Sequence, residues 1–229
     1  MSIILDGTTG ITSTGITETS DGNVGIGTTS PLGDLTITRS DAAELVLQAT
    51  GAGGNAWFVQ TGNTGSTING ALRFYDYNAS AERLRIDSAG RVTMPYQPAF
   101  QVILSGTQSI SALTRTKIAF DTIDYQNGSN FNTTNNRFTA PVTGWYSFSC
   151  WAYGYTVANN ELTLFKNGGL YLRSQWAVGS NLNNCNAILV ATTKLTAGDY
   201  VEMFTEFNTS GAIYHSADRP TIWTGYLVA

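Results

Sequence analysis

Charge is scarce in this sequence of 229 residues, because Asp, Glu, Lys and Arg together make up only 12% of it. An average protein carries roughly 25%. The apolar share of 42% excludes a disordered chain, which combines low hydrophobicity with high charge. The scarcity of Glu, Lys and Arg excludes a coiled coil or helical bundle. With a net charge of −4, no basic patch for nucleic acid is expected.

Other features that proteins use for function or targeting are also rare. Cys150 and Cys185 are too few for a disulfide scaffold or a zinc cage, and buried free thiols are a simpler interpretation than a bridge. No run of about 18 apolar residues is present, so no membrane insertion is expected. Residues 1–6 lack the basic and apolar segments of a secretory signal, and none is expected.

The residues that replace charge are Thr, Ser, Asn and Gly, which together with Val, Ile and aromatics predict an all-β protein. Their distribution divides the chain. The first 56 residues contain no aromatic residue, and 14 of the 24 glycines lie in the first 95. Two prolines in residues 94–98 interrupt any regular ladder. We therefore predict a β-rich stalk or attachment region over 1–95 and a globular head over 96–229.

The N-terminal part contains short strands with few bulky side chains. DGNVGI at 21–26 resembles AGRVTM at 89–94, each a turn followed by a short strand. Residues 40–48 fit a helix and a strand equally well. Because such short strands are marginal alone, we expect them to gain burial from a stacked repeat or another subunit.

The C-terminal part reads as an antiparallel sandwich of short strands separated by Gly- and Asn-containing turns. The predicted strands cover residues 100–105, 116–122, 137–139, 145–155, 162–165, 171–176, 187–195, 200–207 and 221–228. Those over 145–155 and 221–228 are apolar on both alternating faces, whereas a solvent-facing sheet is polar on one. One face can fill the sandwich, and the other predicts burial against a partner.

Four motifs in the C-terminal part resemble the complement C1q-like domain of the C1q/tumour-necrosis-factor superfamily. They are RFTAPVTGWYSF at 137–148, LFKNG at 164–168, LTAGDYV at 195–201 and WTGYL at 223–227. The resemblance implies a ten-stranded jelly roll and a tight homotrimer. Within it, the strands that are apolar on both faces correspond to the trimer-forming sheet. The interface is expected at one parity of those strands: Tyr146, Phe148, Cys150, Ile222, Tyr226 and Val228.

The N-terminal part resembles bacteriophage tail-fibre and related virion proteins through GNVGIGTTSP at 22–31 and ERLRIDSAGRV at 82–92. Together the resemblances imply a virion protein, assembled in the host cytoplasm. It would be a homotrimeric tail fibre or spike whose N-terminal region binds other virion proteins and whose head binds a host surface glycan or protein. The alternative is a capsid decoration protein with the same head.

No catalytic constellation is visible, and no enzymatic activity is expected. His215, the single histidine, is interpreted as a loop residue. Glu202 and Glu206 could serve a sugar hydrolase, although a solvated strand face is simpler. Calcium is the one cofactor considered, with Asp121, Asp124, Asp199 and Asp218 as candidate ligands, but no calcium-loop spacing is present. The candidate receptor-binding residues are the predicted tip aromatics Trp151, Tyr153, Tyr155, Trp176 and Tyr214.

Overall fold

The computed structural model describes residues 15–62, 65, 68–155, 160–176, 185–218 and 220–229, without the side chains of Tyr155, Trp176 and Cys185. Its regular structure is entirely β, which confirms the all-β prediction. The described part contains no helix, and therefore none long and apolar enough to cross a membrane. The chain divides into two units, Met1–Pro95 and Tyr96–Ala229.

The N-terminal unit begins with a small three-stranded sheet. Its strands are β1 (Ile16–Glu18), β2 (Val24–Ile26) and β3 (Leu35–Ile37). β2 pairs antiparallel with β1 and parallel with β3. Gly27 follows β2 with a φ of 78°, and a Cβ there would overlap the carbonyl oxygen of Thr38. The turn therefore requires glycine at this position.

A five-stranded antiparallel meander completes the N-terminal unit, with sequence neighbours paired throughout. Its strands are β4 (Ala42–Gln48), β5 (Ala56–Gly62), β6 (Leu72–Asp76), β7 (Ala81–Ile86) and β8 (Val92–Thr93). The segment 40–48, for which the sequence left helix and strand open, contains strand β4. It is a strand because its backbone pairs with β5, with Leu45 opposite Val59.

The C-terminal unit is a sandwich of two mainly antiparallel sheets. Its strands are β9 (Ala99–Ile103), β10 (Thr107–Ile110), β11 (Thr116–Lys117), β12 (Thr122–Asn127), β13 (Phe131–Asn132), β14 (Arg137–Thr139), β15 (Gly144–Tyr155), β16 (Asn160–Lys166), β17 (Gly169–Trp176), β18 (Cys185–Leu195), β19 (Tyr200–Phe207), β20 (Gly211–Tyr214) and β21 (Ile222–Leu227). The first sheet has the order β12-β9-β21-β15, and β18 pairs with the other edge of β15. The C-terminal residues of β15, 153–155, pair with β20, which in turn pairs with β10. The second has the order β13-β14-β19-β16-β17, with β11 also paired to β19.

One predicted strand of the C-terminal unit is wrong. The segment 116–122 divides into β11, which ends at Lys117, and β12, which begins at Thr122. Between them, Ile118 and Phe120 are completely buried. Apolar residues alternate here because every second side chain enters the core, although the backbone is not part of a strand. A paired strand with one buried face produces the same alternation in sequence. The prediction also omitted the short strands β10, β13 and β20.

Aromatic rings fill the space between the two sheets. The ring of Phe100 stacks on Phe138 at 4.9 Å between centroids and meets Trp223 edge-on at 5.1 Å. Phe148 packs against Phe138 at 5.7 Å. All four side chains are at most 2% exposed. Burying each stabilises the fold by about 1.5–3 kcal/mol, before the cost of ordering it.

Candidate interaction surface

The side chains of β15 alternate between the core and the outside of the first sheet. Tyr146, Phe148 and Cys150 point inward and are at most 1% exposed. The Tyr146 hydroxyl donates a hydrogen bond to the Val142 carbonyl oxygen at 2.8 Å. Because the protomer's own second sheet covers these three side chains, their predicted place at a subunit interface is corrected. They belong to the protomer core.

The opposite parity of β15 forms the outside of the sheet. Trp151 lies beside Ile188 of β18 on one edge and Ile222 of β21 on the other. Ile222 is in turn paired with Ile103 of β9. This register places four apolar side chains in one row across four strands. Trp151 is 42% exposed and Ile188 is 53% exposed, so this end of the row is uncovered in the single chain, whereas Ile222 and Ile103 are half-buried.

A second apolar group lies at the other end of the same face. Trp145 is 50% exposed, and its backbone exchanges hydrogen bonds with Val228 and Ala229. Tyr226 and Val228 are each 52% exposed. Between the two groups, Ser149 pairs with Thr224 and is polar. The name open face is used for six of these exposed side chains: Trp145, Trp151, Ile188, Val190, Tyr226 and Val228.

A close contact under the open face holds β21 against the core. A Cβ at Gly225 would lie 2.5 Å from ring carbons of both Phe100 and Phe148. Only glycine lets the strand approach these rings so closely. The GY pair of the WTGYL motif therefore has two roles: Gly225 accommodates the core, and Tyr226 lies on the open face.

The candidate receptor-binding aromatics do not form one exposed cluster among the described side chains. Trp151 belongs to the open face, whereas Tyr153 is only 3% exposed and meets Tyr214 edge-on at 4.6 Å. Tyr153 is therefore inaccessible to a ligand in this conformation, and its prediction as a receptor-binding residue is corrected. Tyr214 is half-buried. The side chains of Tyr155 and Trp176 lie outside the described part of the chain.

The second sheet carries a network of ion pairs on its outer side. Glu202, 4% exposed, accepts hydrogen bonds from Lys117 Nζ at 2.6 Å and Arg137 Nη2 at 2.9 Å. Glu161, 6% exposed, is paired with Arg115 Nη2 at 2.5 Å and with Arg173. Burial raises the pKa of each carboxyl, but the hydrogen bonds and charges of these cations outweigh it, so both pKa values lie below the usual one.

The carboxylates Glu202 and Glu206 do not form a hydrolase pair. They lie four positions apart on one strand, about 13 Å along the backbone. Each is instead bound to a cation: Glu202 to Lys117, and Glu206 to Arg115 at 3.3 Å. Glu202 is also buried, so the interpretation that these carboxylates lie on a solvated strand face is wrong for Glu202.

The four candidate calcium ligands are separately engaged in hydrogen bonds. Asp121 accepts from the Ser105 hydroxyl at 2.7 Å, Asp199 from Asn167 at 2.8 Å, and Asp218 from Ser216 at 2.8 Å, while Asp124 accepts from Gln101. Within the described ranges, no three His, Cys, Asp or Glu side chains converge on one point.

The imidazole of His215 is partly shielded from solvent, and the thiol of Cys150 is completely shielded. His215 is half-buried beside Ser216, whose hydroxyl bonds Asp218. The thiol of Cys150 is free and buried, and burial raises its pKa. Cys185 pairs through its backbone with Gly154 on the neighbouring strand.

The two N-terminal motifs shape turns. In the segment 22–31, Gly22 and Gly27 have positive φ values of 84° and 78°. In the segment 82–92, Asp87 accepts hydrogen bonds from the amides of Ala89 and Arg91, and Gly90 has a φ of 80°. These residues build the β-turns that flank short strands, which explains the glycines and the aspartate by conformation.

Comparisons with known proteins agree with the sandwich. The C1q domain family matches residues 99–228. The uncharacterized protein YqcC of Bacillus subtilis is 32% identical over 115 residues, which are 47% of this chain and 31% of that protein. The chain thus spans about a third of the length of this relative.

Solved structures with a similar arrangement each cover 58% of the chain. The globular domain of zebrafish complement 1qA gives a TM-score of 0.48 at 18% identity, over 98% of its length. Eiger TNF of S. frugiperda gives 0.47 at 13% identity over 91%, and the PRD1 vertex protein P5 gives 0.46 at 12% identity over 99%.

Proposed function

Because the chain belongs to the C1q domain family, we propose that it is a non-enzymatic, homotrimeric attachment protein of a bacteriophage virion. The C1q domain is the head that binds a host surface glycan or protein. The observation that carries the proposal is the open face, since C1q-like domains typically form homotrimers. A sheet with six large apolar side chains between 42% and 62% exposed is a surface that association would cover.

The proposed interface differs from the one expected on sequence grounds. Tyr226 and Val228 remain in it, and Ile222 lies at its edge in the apolar row. Trp145, Trp151, Ile188 and Val190 replace the three core residues of β15. Aromatic side chains of this kind often dominate the binding energy of an interface.

The virion role is supported by the N-terminal motifs at 22–31 and 82–92, which resemble those of tail-fibre proteins. In this role the N-terminal unit is the stalk and binds other virion proteins. The head, residues 96–229, contains seven basic and seven acidic residues and so has no positive net charge, which suits a glycan or protein receptor rather than nucleic acid.

The trimer is tested by the native mass of the purified chain. Light scattering is expected to give three times 24.6 kDa. Ile188→Lys places a charge beside Trp151 in the apolar row and is expected to dissociate the head. The matched control is Leu113→Lys, since Leu113 is 72% exposed in a loop and its replacement should leave the mass unchanged. A wild-type mass of one chain would refute the trimer.

The virion role is tested with gold-labelled antibodies on intact particles of the phage that encodes the chain. Label at the tail supports a tail fibre or spike. Label over the capsid supports the decoration protein instead. Particles without label overturn the virion assignment, whatever the oligomeric state of the purified protein.

A further inference from the structure

One face of the five-stranded meander carries two rows of side chains that are apolar except for Thr61. In the first row, Leu45 is opposite Val59, Val59 is opposite Phe74, and Phe74 is opposite Leu84. The next row contains Ala43, Thr61, Leu72, Ile86 and Val92. No side chain in either row is charged. The name apolar stalk face is used for these two rows.

The other face of the same sheet carries the charges. Glu44 is opposite Gln60, which is opposite Arg73, which is opposite Arg85. Gln60 Nε2 donates to Glu44 at 2.7 Å, and Arg73 Nε donates to Gln60 at 2.8 Å. Glu82 forms ion pairs with both arginines. The charged groups of this face are paired with one another, and its apolar side chains stand in a single row of Val46, Phe58 and Tyr75. The larger uncharged surface is therefore the apolar stalk face.

Part of the apolar stalk face is exposed in the single chain, whereas Val59, Leu84 and Ile86 in its centre are half-buried. Leu45, Leu72, Phe74 and Val92 are between 38% and 59% exposed. Apart from Ile68 in the connection between β5 and β6, the buried side chains of this meander are small or polar: Ala56, Ala71, Ala81, Gln60 and Asp76. Because a single-layer sheet without a buried apolar side is marginal in water, the unit requires a partner on this face in order to be stable.

The size of the face indicates which partner that is. Five strands about 4.8 Å apart, with about six residues rising about 3.3 Å each, present a face on the order of 500 Å². A free partner of ordinary affinity needs about 800 Å² on each side. A copy already tethered through the head needs less, because tethering supplies an effective concentration on the order of millimolar. The absence of charge in both rows also lets identical faces meet without repulsion.

We propose that the apolar stalk faces of three copies of this chain pack against one another, so that the N-terminal unit is a second trimerisation element. This inference rests on the proposed trimer of the head, which supplies the tether. The N-terminal unit is then stable only in the assembled molecule.

The test uses the full chain with the photocrosslinking residue benzoylphenylalanine placed at Leu45 or, as the matched control, at Val46. These neighbours are similarly exposed, at 46% and 42%, and lie on opposite faces of β4. Irradiation is expected to link the Leu45-labelled chains into dimers and trimers that survive denaturation. The Val46-labelled chains are expected to remain single.

A charge substitution gives an independent measurement. Phe74→Lys is expected to leave the native mass at three chains and to make the N-terminal unit sensitive to protease. Val46→Lys, which adds the same charge to the other face, is expected to leave the unit protected. Equal protection in both variants would overturn the inference.

The outcomes separate this inference from the proposed function. If the wild-type mass is three chains and Leu45 forms no product between chains, the stalk inference fails and the head trimer stands. A crosslink from Leu45 to a peptide of its own chain also overturns it, because another segment then covers the face. A native mass of one chain refutes the head trimer itself.

Discussion

The two units of this chain solve the same problem, burial of apolar strands, in opposite ways. In Tyr96–Ala229 the apolar sides of two sheets face each other, and Trp223 and Phe148 are buried without any partner. In the N-terminal meander a single sheet leaves Phe74 and Leu45 at least 40% exposed. Strand pairing alone therefore does not make a stable unit. A second layer is needed, from the same chain or from another copy.

The largest expected effect comes from deleting a core ring. Phe148→Ala removes a side chain packed against Phe100, Phe138 and Trp223, and is expected to destabilise the C-terminal unit by about 3–5 kcal/mol. Calorimetry should show its thermal transition at a lower temperature. The matched variant Phe74→Ala is expected to leave that transition in place. A loss below about 1 kcal/mol for Phe148→Ala would contradict the closed core of this unit.

A smaller effect is expected from overpacking. Gly225→Ala places a methyl group against the rings of Phe100 and Phe148, and the cost is about 1–3 kcal/mol. Gly27→Ala in the N-terminal unit overlaps a backbone oxygen instead and requires a strained φ. We expect the first variant to shift the calorimetric transition of the C-terminal unit. The second should only increase amide exchange near β2 and β3. An unshifted transition in Gly225→Ala would show that the rings can move.

The variant Glu202→Gln removes the carboxylate that binds Lys117 and Arg137, and its free energy of unfolding is expected to fall by about 1–2 kcal/mol. The loss is smaller than for a fully buried ion pair because both cations are about 30% exposed. The pKa of Glu202 is lower in the folded protein than the value of about 4.3 in the unfolded chain. Its stabilisation is therefore complete above that pH and is lost as pH falls through the folded value. Urea denaturation at pH 7 and pH 3 should show Glu202→Gln closer to wild type at pH 3. An equal difference at both pH values would contradict this role.

The N-terminal unit has its own acid-sensitive carboxylate. A hydrogen bond from Arg83 at 2.8 Å, with others from Asn55 and the Ala79 amide, lowers the pKa of Asp76 to about 2. Its contribution is present above the unfolded pKa of about 3.9 and is lost as pH falls toward 2. Protease protection of the N-terminal unit should therefore decline between about pH 4 and pH 2. Asp76→Asn should show reduced protection already at pH 7.

The smallest effect is expected at an exposed ion pair. Arg91 Nε lies 2.7 Å from Asp87, but the arginine side chain is 78% exposed. Because solvent screens such pairs, Arg91→Ala should not shift either thermal transition measurably. A clear shift would indicate that another molecule covers this turn in the assembled protein.

Much of the fold could be predicted from alternation and turn residues. The strands over 145–155 and 200–207 appear within one residue of their predicted bounds because their alternating side chains and flanking glycines mark them. The short strands β10, β13 and β20 could not be predicted. Strands of two to four residues carry too little periodicity, and β10 and β20 also pair with partners far away in sequence.

The main wrong prediction at the candidate site is which side chains of β15 face outward, although the sequence contains a signal that separates the two parities. Both parities are apolar, but only the one with Trp145 and Trp151 also contains Ser147 and Ser149. Two hydroxyl groups in the middle of a strand are costly in a sealed core and acceptable at a surface. That difference assigns Tyr146 and Phe148 to the inside. The burial of Tyr153 could not be predicted, because it depends on the long-range position of Tyr214.

The position of β21 has a consequence for biosynthesis. This strand lies between β9 and β15, so the centre of the first sheet stays open until residues 222–227 have been made. β21 is more than 60 residues away in sequence from both strands that it pairs with, β9 and β15. Pairing between strands so distant in sequence is typical of slowly folding domains. The meander, in contrast, pairs only adjacent strands. During translation, therefore, the head stays incomplete until β21 has emerged from the ribosome. Association of the heads is expected to wait for that strand.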